Sequence, residues 1–293
     1  MFSVCALAMV VAMSTALPSM PATALPSMPA TVLPSMPATV RLSVRSGYNQ
    51  QRVYNGFDDS ASKYPFVVAL LLVNLRTCTG TLITPTWVLT AAHCKKVTNI
   101  QYGNMTVSPK DILSQSKLLK MIPHQNYQRI LMPGEGHCDI ALILVEDVRL
   151  KVFGKLSGVD YHAISGSQVE YAGFGKTGKK SGYSGIMEDF MRPLQLADGM
   201  VVSCTAVYKL ATPCMCVVPR CSLNQSVLPG DSGGPLFYDG KVVGVAHSLQ
   251  KAPVISLFVP VSPFLTWIQM EEEYTYCDAY FSKFTEKNKS TSI

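Results

Sequence analysis

Gly230-Asp231-Ser232-Gly233-Gly234-Pro235 is the stretch of this 293-residue chain that most restricts how its surroundings can fold. Its glycines let the main chain turn tightly, and they crowd backbone N–H groups beside a single serine. That arrangement suits an acyl-transfer nucleophile carrying its own oxyanion hole. The plainer reading is a Gly-Gly-Pro turn. A serine nucleophile needs a base and a group that orients the base, and two other segments carry them. Thr90-Ala91-Ala92-His93-Cys94 follows the strand-like Trp87-Val88-Leu89. Asp139 opens the apolar run Ile140-Ala141-Leu142-Ile143, where its carboxylate will be partly buried. A buried carboxylate requires a hydrogen-bond partner, and an imidazole N–H is a good one. The three segments lie far apart in sequence, so only a fold can bring them together.

In the order His, Asp, Ser, the segments TAAHC, DIAL and GDSGGP resemble the trypsin/chymotrypsin-like serine proteases. The resemblance covers roughly Val53 to Tyr276. It implies an all-β fold of two six-stranded antiparallel β-barrels with a C-terminal α-helix and the active site between the barrels. It implies that Ser232 attacks, that His93 is general base and then acid, and that Asp139 holds the imidazole tautomer and stabilises the imidazolium. The N–H groups of Gly230 and Ser232 would form the oxyanion hole. No cofactor and no metal are implied, and the partners would be a protein or peptide substrate, an activating protease and a protein inhibitor.

The resemblance also implies an activation junction at Gln51-Arg52-Val53-Tyr54-Asn55-Gly56. Cleavage after Arg52 would free Val53, whose ammonium would fold inward to pair with Asp231. A buried carboxylate with no partner costs several kcal/mol. The expectation is therefore that Asp231 lacks a partner before cleavage. Tyr54 stands where the family usually has a second aliphatic residue.

Upstream of the junction, residues 1–16 are apolar and small and read as a secretory signal. They are too few for a membrane span, although an anchor is the rival reading and the stretch has no Lys or Arg before its apolar run. Residues 17–52 make up a pro-segment built around three near-copies of one octapeptide, ALPSMPAT, ALPSMPAT and VLPSMPAT, the first beginning at Ala16. Two prolines per unit block helix and sheet, so this segment is expected to be disordered. The mature domain would span 53–277 and a polar tail 278–293. The net charge is +6, and the first 52 residues hold Arg41, Arg45 and Arg52 with no acid. Removing those three charges leaves +3. That bias is too weak to argue for a nucleic-acid partner, with no cluster of basic and aromatic residues to support one, and none is expected. With 48% hydrophobic and 15% charged residues, the chain suits a β-rich secreted protein.

Within the domain, Pro65 to Leu72 reads as a buried strand. Cys78 to Ile83 and Thr86 to Thr90 read as a hairpin leading into His93. Ser262 to about Tyr276 has Phe264, Leu265, Trp267 and Ile268 at helical spacing. A membrane-active helix is the alternative there, and Glu271-Glu272-Glu273 argues against it. The family pattern pairs Cys78 with Cys94 and suggests Cys204 with Cys216. Cys214 and Cys221 would then close a local loop, although four cysteines allow three pairings and a metal site is the rival explanation. Cys138 and Cys277 are left over, and the family's placing of its terminal helix suggests that they pair.

The chain departs from the family pattern around its specificity pocket. His247 occupies the place of a serine that supports the aspartate, and its imidazole would compete for Asp139. Ser226, six residues before the nucleophile, would be a neutral floor. Leu249 and Val254 stand where many relatives have glycine. Together they imply a shallow, apolar pocket of the elastase type. The competing function is a non-enzymatic homologue that binds a partner in the same cleft.

Overall fold

A run of β-branched and aliphatic residues too short for a buried helix is the recurring local pattern, and it yields strands. The structure is a computed structural model that describes residues 53–73, 75–103, 114–127, 138–175, 193–204, 213–220, 223–251 and 254–275. The expected leader and repeats, Arg52, Cys221, Cys277 and the 278–293 tail lie outside the described residues.

Six strands close the first barrel: β2 (Val67–Leu72), β3 (Leu75–Leu82), β4 (Trp87–Thr90), β5 (Asn99–Tyr102), β6 (Ser114–Pro123) and β7 (Ala141–Val145), in the order β2-β3-β4-β7-β6-β5. A short β1 (Phe57–Asp58) precedes them and pairs with β9 (Gln195–Val202) of the second barrel. That barrel is completed by β8 (Gln168–Gly173), β10 (Met215–Pro219), β11 (Pro235–Tyr238), β12 (Lys241–Lys251) and β13 (Val254–Pro260). The ring β9-β10-β13-β12-β11-β8 closes because β8 also pairs with β9. All of these strand pairings are antiparallel. The two six-stranded barrels expected from the sequence are present, and closure leaves neither with a long free edge.

Each barrel has its own core. Leu70, Leu82, Leu89, Ile100, Leu142 and Ile143 fill the first. Val169, Tyr171, Val217, Leu236 and Phe258 fill the second. Burying each such side chain stabilises the fold by roughly 1.5–3 kcal/mol. Between the barrels, Tyr64 stacks on Phe237 with ring centroids 3.8 Å apart, and Phe66 meets Phe237 edge-on.

The chain ends in a 3-10 turn, Ser262–Phe264, that runs into helix α1 (residues 265–275). Proline at the turn's start costs nothing, because its missing N–H would have no helical partner. Phe264 and Ile268 pack on the first barrel's cluster, and His124 lies edge-on against Phe264 and Trp267. His124 is thus part of the packing that seats the helix. Among the described residues, no helix is long and apolar enough to cross a membrane.

Candidate active site

Strand pairing alone delivers the first two side chains. β4 runs antiparallel to β7 with Thr90 opposite Ala141. His93 lies three residues beyond Thr90 and Asp139 two before Ala141, so both emerge at the same end of the barrel. A 3-10 turn over Ala92–Cys94 bends the chain there, and the Cys78–Cys94 disulfide ties that turn back to β3. The Asp139 carboxylate then grips His93 twice. Oδ1 accepts the His93 backbone N–H at 2.9 Å, and Oδ2 lies 2.6 Å from His93 Nδ1. This second bond requires Nδ1–H, which leaves Nε2 with a free lone pair.

A second imidazole reaches the same oxygen. His247, in β12, places Nδ1 at 2.5 Å from Asp139 Oδ2, and the two rings sit nearly perpendicular with centroids 6.1 Å apart. The competition expected for Asp139 is therefore a shared acceptor. Asp139 is 1% exposed. Burial by itself raises its pKa, but the bonds from His247 and His93 outweigh that effect and hold the carboxyl far below the ordinary carboxylate range. His247 Nε2 is buried, with no hydrogen-bond partner among the described residues.

The serine comes from the second barrel, on the turn before β11, and the first barrel holds it in place. The Thr79 N–H donates to Ser232 O at 2.8 Å, and the Thr79 hydroxyl donates to Gly230 O at 2.8 Å. Ser232 O also lies 3.7 Å from Sγ of Cys94, the residue after His93. Gly233 has φ +84, and a Cβ there would strike Thr90 Oγ1 and Thr79 O, so only glycine allows this approach. No described residue accepts a hydrogen bond from the N–H of Gly230 or Ser232, which leaves both donors available. Thr79 was not legible in the sequence, because a threonine in an apolar strand carries no motif.

Several expectations need correction. Asp231 was expected to lack a partner in the uncleaved chain. It is buried, and it accepts the N–H groups of Gly175 and Leu228, each at 2.7 Å. Backbone donors therefore meet much of its hydrogen-bonding demand. Val53 is already fully buried, at φ +45, and Tyr54 exchanges backbone hydrogen bonds with Ser226.

Leu249 and Val254, the two expected pocket walls, lie on opposite strands of the β12–β13 hairpin, Leu249 on β12 and Val254 on β13. Val254 pairs with Lys251 at the outer end, and Leu249 pairs with Ser256. Counting residues could not locate the hairpin turn, so it missed Ser256. This serine is 2% exposed and accepts the Val227 N–H at 3.2 Å, next to the buried Ser226.

Of the cysteine expectations, Cys78–Cys94 and Cys204–Cys216 are bonded. Cys214 is not paired with Cys221, nor Cys138 with Cys277; both Cys214 and Cys138 are free thiols. Cys214 packs within the small cluster around Cys216, and burial pushes its thiol up to about 12. Burial also raises the Cys138 thiol.

The comparison with known families gives this geometry its context. The family model described as trypsin matches residues 53–268.

The chain belongs to the trypsin family.

Serine protease SP24D of Anopheles gambiae is 28% identical over 244 residues, which cover 77% of this chain and 83% of that protein. Human kallikrein-5 is 27% identical over 238 residues, covering 77% and 78%. The structure of neuropsin, a serine protease of mouse brain, superposes with a TM-score of 0.61 at 24% identity, covering 71% of this chain and 95% of that one. At that identity the superposition bears on the fold alone. The trypsin match begins at Val53, the first of the described residues, and takes in His93, Asp139 and Ser232.

Proposed function

We propose that this trypsin-family chain is a secreted serine endopeptidase, made as a zymogen and cleaved after Arg52. The observation that carries the reading is the 2.6 Å bond between His93 Nδ1 and Asp139 Oδ2, at the end of a barrel whose Thr79 holds the Ser232 loop. With Nδ1–H committed to Asp139, the Nε2 lone pair of His93 takes the Ser232 proton as Oγ attacks the scissile carbonyl. The imidazolium that forms is stabilised by Asp139, and its proton goes to the leaving amine. The N–H groups of Gly230 and Ser232 stabilise the oxyanion, an effect worth about 2.7–4 kcal/mol per donor. Water then attacks the acyl-enzyme by the same steps in reverse. Cleavage after Arg52 frees the Val53 ammonium as a further partner for Asp231, added to the N–H groups that it already holds.

The substrate is a protein or peptide. Leu249 narrows the pocket, and Ser226 and Ser256 make its far end neutral, so Ala, Val or Leu is preferred at the cleaved bond over Arg or Lys. A peptide-substrate panel tests this, and a preference for Arg or Lys refutes it. An activating protease and a protein inhibitor are the expected partners.

His247 supports a second reading. An imidazole that shares Asp139 Oδ2 draws on the charge that His93 needs, which suits a homologue that binds partners in the cleft without cleaving them. Treatment with an organophosphate after cleavage at Arg52 separates the two. An enzyme is labelled at Ser232, and the label is lost in Ser232→Ala. A folded, cleaved chain that takes no label is a binder.

A further inference from the structure

Two imidazoles and one carboxylate converge in this molecule: one ligand atom from each of His93, His247 and Asp139 lies within 4.8 Å of the others, and both Nδ1 atoms contact Asp139 Oδ2. This goes beyond what a proteolytic triad requires, since the triad is complete with His93 alone. Two neutral imidazole nitrogens and one carboxylate oxygen form a donor set that suits zinc and its first-row neighbours. The set is buried on one side and open on the other. The Asp139 side chain is 1% exposed, that of His247 11% and that of His93 30%. The exposed part of His93 gives an ion a route in, and a water can complete a tetrahedron.

We propose that His93, Asp139 and His247 form a site for a divalent transition metal of the zinc type, and that the bound ion switches off catalysis reversibly. The inference rests on the peptidase reading only for its consequence, not for the binding itself. In the metal-free form each ring carries its proton on Nδ1 and donates it to Asp139 Oδ2. To coordinate the ion, each Nδ1 gives up that proton and its own Nε2 takes one on. Both rings stay neutral, no proton is released, and the ion keeps one net positive charge after the carboxylate is counted. On His93 this places N–H at the atom that must accept the Ser232 proton. The base is then held in the tautomer that cannot work, the defect that also follows from losing the orienting aspartate. The Nδ1···Oδ2 separations of 2.6 and 2.5 Å must open to about 3.3 Å, the spacing of ligands around tetrahedral zinc, so the carboxylate backs away as the ion enters. His247 is the residue that makes the site, because one imidazole and one carboxylate offer a single nitrogen.

The test uses the full chain, cleaved after Arg52 and freed of metal. Co²⁺ is added and followed by its visible absorption, Zn²⁺ competes with it, and hydrolysis of a peptide ester is measured in parallel. The expected result is a tetrahedral cobalt spectrum that Zn²⁺ displaces, together with inhibition that a chelator reverses. His247→Ser and His247→Asn are each expected to weaken Co²⁺ binding about tenfold or more. Asn retains a donor for Asp139, which guards against a variant that fails to fold. Co²⁺ binding that is absent, or unchanged in a folded His247 variant, overturns the site. Binding that depends on His247 in a chain with no esterase activity keeps the site and rejects the peptidase reading. An active chain indifferent to Zn²⁺ does the reverse.

Discussion

The two barrels hold their functional groups differently. The first barrel positions His93 and Asp139 with its own structure, through the β4–β7 register, a 3-10 turn and the Cys78–Cys94 disulfide. The second barrel carries Ser232 on a turn whose Ser232 and Gly230 carbonyls are bonded by Thr79 of the first. His93 and Asp139 are therefore fixed within one barrel, and Ser232 is fixed by contact between the barrels. His247 is a second crossing, reaching from β12 to Asp139. Whatever disturbs the contact between the barrels should disable Ser232 before it disturbs the His93–Asp139 pair.

Four measurements would break or sharpen this contrast. The largest effect is expected at Asp139. Asp139→Asn should lower kcat by about 10⁴-fold with the fold intact, because the wrong His93 tautomer is then favoured. A loss of tenfold or less would mean that His247, or another group, orients the base. Next, removing the disulfide and removing Thr79 should differ in kind. Replacing Cys78 and Cys94 together with Ala should cost about 2–5 kcal/mol in a denaturant titration. Thr79→Val should cost only about 1–3 kcal/mol, because it leaves the Gly230 carbonyl and the Phe174 N–H without the hydroxyl. Relative to its small effect on stability, Thr79→Val should slow organophosphate labelling of Ser232 the more. Equal slowing in both variants would remove the distinction between the barrels.

A smaller effect belongs to the second barrel alone. Leu249→Gly should raise kcat/KM for Phe over Ala substrates by roughly tenfold, through the apolar contact space it opens. No change would place the pocket elsewhere. The smallest is a slope with pH. The Asp139 carboxyl is depressed in the folded state, so its stabilising contribution is fully present above the unfolded value of about 3.9. It is lost as pH falls below that value toward the folded one. The acid limb of the stability curve should therefore be shallower in Asp139→Asn than in the wild type, and equal slopes would show that the carboxylate is not held as described.

Much of this was readable in the chain, because some residue types carry their physics locally. Glycines and a proline around one serine announce a tight turn, and an Asp at the head of an apolar run announces a carboxylate that must find a donor. Apolar runs of strand length between turn residues announced the strands, and Phe264, Trp267 and Ile268 announced the terminal helix. Other features depend on register, which no single segment contains. Val254 and Ser256 are equally plausible neighbours for Leu249 until the β12–β13 hairpin is formed, and only then does Ser256 face it. The Asp231 carboxylate looked partnerless because its partners are backbone N–H groups, from Gly175 in one loop and Leu228 in another. Such donors leave no mark in a sequence, since nearly every residue has one.

The chain by itself determined the three chemical groups and their order, and the Cys78–Cys94 and Cys204–Cys216 bonds were expected only through the family resemblance. Tertiary structure alone decided that Asp139 serves two imidazoles, that Thr79 ties down the turn carrying Ser232, and that Cys138 and Cys214 remain thiols. The reason is one of range. Turn chemistry and apolar periodicity act over a few residues and are written there, but hydrogen bonds and disulfides act over a few ångströms, and only the closed barrels decide which distant residues come that near.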